Sequence, residues 1–356
     1  MTAMIRRLAL LLALAPASAM AAAADSIRVY NWNDYIAPEV LERFQEETGI
    51  TVDYRTFSTA EELDAVMAND EPIDIAVVSH NTLPQLISDG KLQPLDMPQL
   101  SNRAHLDQDL LKKLAAVDTG NRHAIPYLWG AVGLAINQPK AEAAYGGPLP
   151  HSWSLLFDPA QSARLKSCGI STLDAPAEVL SVLFNYQGRS LARAAPARIK
   201  RAGELLMQVR PNLRYVDSER YIDDLDNGRL CMALAWVGDA LSAARKGQPV
   251  TFVIPDEGSV LFIDSLVIPS NAPRADLAHR FIDYLMQPEV AAQITSETLY
   301  PSGNADARQF LDKRLSSEPA LYPDAELKRR LHMLETLPAK QAEVRDAVWK
   351  RFREGA

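Results

Sequence analysis

Cysteine is nearly missing from this chain: Cys168 and Cys231 are the only two among 356 residues. That excludes a disulfide-dense small scaffold and any multi-cysteine metal centre. The six histidines (80, 105, 123, 151, 279 and 332) stand singly, without the spacing that places two on one metal. No G-x-S-x-G, H-E-x-x-H, P-loop, G-x-G-x-x-G or C-x-x-C occurs. The residues therefore give no support to an enzyme, and neither a cofactor nor a metal is expected. Positive charge is also in deficit, with a formal net charge of −8. An acidic chain is a poor partner for nucleic acid or an anionic membrane, but it suits a cationic ligand.

The N-terminus is organised differently from the rest. Arg6 and Arg7 precede the apolar run Leu8–Leu14, and small residues with several A-x-A cleavage options follow. That order is a secretory signal peptide over residues 1–24, cleaved within 19–24, and its apolar run is too short to span a bilayer. No cysteine follows the run, so no lipid anchor is expected there. Removing the two arginines takes the charge from −8 to −10. In an exported protein a Cys168–Cys231 bridge would persist and contribute roughly 4 kcal/mol, although the residues alone leave the pairing open.

Hydrophobic periods then alternate. "SIRVYNW", "ITVDYRTF" and "IDIAVVS" read as strands, and "APEVLERFQEETG", "TAEELDAVMAN" and "TLPQLISDG" as helices between and after them. This order implies an α/β fold with a mostly parallel, doubly wound sheet, whose ligands bind beyond the carboxyl ends of the strands. A second set of elements follows "AIPYLWGAVGLAINQP". It contains helices at "AEVLSVLFNYQG", "ARIKRAGELLMQVRP" and "ERYIDDLDNG", and a buried strand running into a turn at "RLCMALAWVGD". "VTFVIPDEGSVLFIDSLVIP" reads as two strands around a glycine turn, and the last fifty residues as helical and charged. With no floppy linker, the pattern suggests two lobes joined by crossing strands.

One constellation recurs. Trp32 precedes Asp34, Trp236 precedes Asp239, and Phe262 precedes Asp264, each pair expected at the end of an apolar strand. Any single pair could be a core aromatic and a turn-capping carboxylate. Three of the same form suit a ligand that is cationic at its ends and apolar between them. Carboxylates would take ammonium groups by charge-assisted hydrogen bonds, and each aromatic face adds roughly 0.5–2 kcal/mol.

These segments resemble a known family. "YNWNDYIAPEVLERFQEETGI", "SCGISTLDAPAEVL", "DNGRLCMALAWVGD", "FVIPDEG" and "FIDSLVIPSNA" are similar to the periplasmic polyamine-binding proteins of ABC transporters, nearest the putrescine-binding branch. The resemblance implies a two-lobed periplasmic binding protein fold (type II), each lobe a doubly wound sheet with a hinge between, and a monomer that delivers its ligand to a membrane permease. It implies lobes at 25–133 with 260–307 and at 134–259 with 308–356. It also implies a ligand site of Trp32, Asn33, Asp34, Tyr35, Ser79, Trp236, Asp239, Phe262, Asp264 and Tyr300, and a disulfide joining Cys168 to Cys231. Glu178 is the expected second-lobe carboxylate, with Ala177 one residue away as the alternative. His80 and Asn81 depart from the family pattern, so they either reshape the wall after Ser79 or face solvent. Spermidine, cadaverine or agmatine are alternative ligands, and a polyamine-sensing subunit is an alternative role.

Overall fold

The computed structural model describes residues 25–69 and 71–355. The expected signal peptide lies outside the described residues. Ten strands form one continuous sheet: β1 (Ser26–Trp32), β2 (Thr51–Phe57), β3 (Ile75–Ser79), β4 (Ala124–Asn137), β5 (Ile170–Thr172), β6 (Tyr215–Val216), β7 (Met232–Trp236), β8 (Val250–Val253), β9 (Ser259–Val267) and β10 (Leu331–Met333). The order across the sheet is β2-β1-β3-β9-β4-β7-β5-β6, with β10 on β9 and β8 on β4.

The local reasons for these elements are visible in the sequence. The helix Pro38–Thr48 begins on a proline whose missing N–H costs nothing at a first turn, and it stops at Gly49 in the left-handed region. The helix Ala60–Ala68 starts where the Thr59 side chain accepts from the Glu62 N–H. Both alternate with strands, so β1 pairs parallel with β2 and β3 at one end, as β5 does with β6 and β7 at the other. Between them the sheet turns antiparallel. β4 is a 14-residue strand, buried throughout. Its residues 124–131 pair with β9, and residues 132–136 pair with β7. One strand thus belongs to both halves and carries the chain between them.

Each half of the sheet has its own hydrophobic cluster. Ile27, Phe44, Val77, Leu266, Phe281 and Ile294 belong to the first; Trp153, Leu180, Phe184, Leu206, Leu234 and Phe352 belong to the second. Two clusters on one shared sheet are the two lobes. No helix among the described residues is long and apolar enough to cross a membrane.

Several expectations change here. β8 and β9 flank the Gly258 turn as expected, but they follow one another along β4 and do not pair with each other. The segment after β7 is the helix Val237–Arg245 and not a turn. The last fifty residues are only partly helical, with short turns and β10 before the helix Ala339–Glu354. That helix packs on the second lobe through Trp349 and Phe352. Residues 308–322, expected with it, go elsewhere: Leu321, Leu315 and Tyr322 pack on the first cluster, and Leu311 on Ala291 and Ala292. Their apolar side chains are few and interspersed with charge, so they carry no clear helical or strand period.

Cys168 and Cys231 are bonded, with Cα atoms 5.5 Å apart and a sequence separation of 63. The bridge ties the loop before β5 to the start of β7. Reducing it should lower the unfolding free energy by about 4 kcal/mol in the chain-entropy model. Urea unfolding with and without a thiol reductant measures this, and an unchanged midpoint would contradict it.

Candidate functional site

Trp32 ends β1, Ser79 ends β3 and Trp236 ends β7, so three strands deliver their last side chains to the gap between the lobes. Phe262 and Asp264 arrive differently. They lie in the middle of β9, and not at its end, because β9 runs antiparallel to β3 and crosses the gap at that point. Register then places Asp264 directly opposite Ser79, and Phe262 opposite Gly130 on β4.

The two central carboxylates are held by tyrosines. Tyr35 donates its hydroxyl to Asp264 Oδ2 at 2.9 Å. Tyr35 is itself fixed by its carbonyl, which accepts from the Tyr127 hydroxyl at 2.7 Å and from Asn31 Nδ2 at 3.4 Å. Tyr300 reaches Asp239 Oδ1 at 3.3 Å, and the Tyr221 hydroxyl donates to Asp239 Oδ2. The Tyr35 and Tyr300 rings meet edge-on at 5.1 Å, and Phe262 meets Tyr300 at 6.0 Å. Tyr300 lies so close to the helix Val237–Arg245 that a Cβ at Gly238 would come within 2.2 Å of its ring. Only glycine allows that approach.

Among the described residues neither Asp239 nor Asp264 forms a salt bridge. Burial raises the Asp264 carboxyl to about 7, against the pull of its Tyr35 and Ser79 hydrogen bonds, and the charge of Glu178 raises it further. Burial likewise raises Asp239 to about 6, opposed by Tyr221 and Tyr300 and reinforced by Asp34 and Asp226. Tyrosine hydroxyls can donate to a carboxylate without neutralising it, so both acids keep an unmet demand for a cation.

Asp34 is exposed in a left-handed turn (φ 52°) just beyond Trp32. Trp32 packs at a tilt on Phe57 with centroids 4.5 Å apart, and its buried Nε1 has no hydrogen-bond partner among the described residues. Asn33 donates to Ser58 Oγ at 2.8 Å and lies 3.5 Å from Glu219 Oε1 on the opposite lobe. Glu178 sits in the first turn of the helix Pro176–Tyr186. Burial raises its carboxyl, Arg345 lowers it and Glu61 raises it. Ala177, the alternative position, packs against the second-lobe core. The geometry therefore brings together Trp32, Tyr35, Ser79, Trp236, Asp239, Phe262, Asp264 and Tyr300, with Asn33, Asp34 and Glu178 around them.

His80 fits neither expectation set for it, whereas Asn81 is half-exposed. His80 is fully buried, accepting the Ile263 N–H on Nδ1 at 3.1 Å and donating from Nε2 to the Leu334 carbonyl at 2.9 Å. Strand alternation turns it to the face opposite Ser79, where it joins β9 to the chain after β10. The Asn81 carbonyl accepts from Thr336 Oγ1 at 2.9 Å, a second tie to the same segment. Residues missed from the sequence include Tyr221, Phe57, Tyr127 and Glu219. Tyr221 stands in "ERYIDDLDNG", where helical spacing gives no sign that its hydroxyl faces Asp239.

Against this geometry, residues 39–323 match the family model described as bacterial extracellular solute-binding protein. The chain belongs to that family. Among curated relatives, this solute-binding protein is 38% identical over 346 residues to the putrescine-binding periplasmic protein SpuD of Pseudomonas aeruginosa, covering 94% of each chain. It is 39% identical over 343 residues to a putrescine/agmatine-binding protein of the same species, again with 94% of each covered. Among solved structures, a putative spermidine/putrescine ABC transporter protein from Listeria monocytogenes superposes with a TM-score of 0.83 at 29% identity. That alignment covers 92% of this chain and 99% of the other.

His80 yields a test of its structural role. Burial holds its pKa down to about 4 from 6.5. A depressed histidine contributes stability that is present above pH 6.5 and is lost as pH falls towards 4, amounting to about 3 kcal/mol. The stability difference between wild type and His80→Gln should shrink over that window, measured by urea unfolding at each pH. A constant difference would contradict the neutral, buried role.

Proposed function

We propose that the protein is a periplasmic receptor that captures a small polyamine, foremost putrescine, between its lobes and delivers it to an ABC permease. The observation that carries this reading is the pair of carboxylates whose pKa burial raises, buried Asp264 and half-buried Asp239, without a salt bridge and flanked by Trp32, Trp236 and Phe262. A diammonium ligand meets both needs. Its charged ends satisfy the acids through charge-assisted hydrogen bonds, and its methylenes cover the rings at about 0.8 kcal/mol per CH₂. Asp34 and Glu178 add negative potential at the rim, Ser79 and Tyr300 are polar supports, and Asn33 links to the opposite wall. The two relatives named above share this ligand class, and the first of them is periplasmic.

The lobes in this reading are 25–133 with 260–322, and 134–259 with the C-terminal helix, which moves the tail boundary to follow the packing. The family and the relatives named above are binding proteins, and this reading is likewise one of binding.

Isothermal titration of the mature chain with putrescine, cadaverine, agmatine and spermidine tests it. Micromolar or tighter binding of a diamine is expected, and Asp264→Asn should weaken it more than tenfold. Heat from none of the four amines would overturn the reading.

The raised carboxyls also set a pH dependence. An acid whose folded pKa is raised holds its proton as pH falls below that value, and the ligand requires the ionised form. Putrescine affinity should therefore fall by at least tenfold from pH 8 to pH 5, through the region of the Asp264 and Asp239 values near 7 and 6. Equal affinity at both ends would show that the acids do not face the ligand.

A further inference from the structure

The helix Val237–Arg245 touches both cores. Val237 and Leu241 pack with the first-lobe cluster, whereas Ala240 and Ala243 lie in the second. Its first turn carries Asp239 and its last residue is Arg245. Both ends reach a single first-lobe segment. At one end Tyr300 bonds Asp239, as described. At the other, Arg245 donates from Nη1 to the Ser296 carbonyl at 2.9 Å and from Nη2 to the Glu297 carbonyl at 3.3 Å.

Those carbonyls lie in the last turn of the helix Pro288–Thr298, where backbone acceptors have no intrahelical partner and the dipole is negative. A guanidinium suits that position twice, by charge and by its fork of donors. Immediately afterwards Leu299 takes a left-handed conformation (φ 58°), and the Tyr300 N–H bonds back to Thr298 Oγ1 at 3.3 Å. Arg245 thus grips the stem from which Tyr300 projects. A further cross-lobe approach among the described residues is that of Asn33 to Glu219 at 3.5 Å, which is long for a hydrogen bond.

We propose that Arg245 is a positioning residue that clasps the two lobes and sets Tyr300 on Asp239, so that it controls how long a bound cation is retained. This rests on the receptor reading. A clasp formed on closure acts after encounter, so its loss appears in release and not in capture.

The test is stopped-flow kinetics with putrescine on the mature chain as wild type, Arg245→Gln and Arg245→Lys, with small-angle scattering along the same titration. For Arg245→Gln, release should quicken about tenfold while association stays within about twofold, as expected for a lost charged hydrogen-bonding pair. Compaction should then require correspondingly more putrescine. Arg245→Lys, which keeps the charge but not the fork, should fall between. Arg245 is exposed, and an unchanged melting temperature without ligand would set its effect apart from general destabilisation. Release within twofold of wild type in both variants would overturn the clasp alone. A wild type that neither binds nor compacts with putrescine would take down the receptor reading, and the clasp's role with it.

Discussion

Two carboxylates drawn largely out of water without an ion-pair partner, Asp264 buried and Asp239 half-buried, are the constraint on which the rest of the structure depends. An unpaired buried charge costs several kcal/mol, and folding alone does not recover that cost. Here the protein meets it in part with hydroxyl hydrogen bonds and in part by raising both carboxyls towards the protonated form. Asp264 draws on Tyr35 and Ser79, while Asp239 draws on Tyr221 and Tyr300. The site is therefore electrostatically incomplete, and in the proposed receptor reading this incompleteness is what a bound cation relieves.

The sheet explains how the acids come to face one another. β4 and β9 are antiparallel strands at the centre of an otherwise parallel arrangement, and β4 is hydrogen-bonded in both lobes. Because β9 crosses the gap in mid-strand, it can place an aromatic and an acid two residues apart on the same face. The helix after β7 then brings Asp239 in from the other lobe, beneath a tyrosine that only Gly238 allows so close. Closure in such a fold brings lobes together about shared strands, and the contacts that change are side chains at the rim.

Much of this was legible in the sequence, for physical reasons. Strand and helix periods were strong in residues 26–90, where proline, glycine and threonine mark the ends. The aromatic–acid pairs stood out because aromatics beside acids at strand ends are poor core material. What stayed hidden depends on tertiary direction. Tyr221 and Arg245 lie on helix faces whose neighbours are set by how lobes dock, and no local pattern records that. His80 is a milder case: once Ser79 faces the gap, period-two alternation turns the next residue away, into the seam with the segment after β10. Residues 308–322 carried too few apolar side chains for a period to assign them to a lobe.

Proton release on binding tests the central claim most directly. Titrating putrescine at pH 6.5 in buffers of differing ionisation enthalpy counts the protons set free per ligand bound. With Asp264 and Asp239 near 7 and 6, about one proton in total should be released as both become carboxylates. Binding with no proton released would mean that the two acids are already ionised, and that their desolvation is not what the ligand relieves.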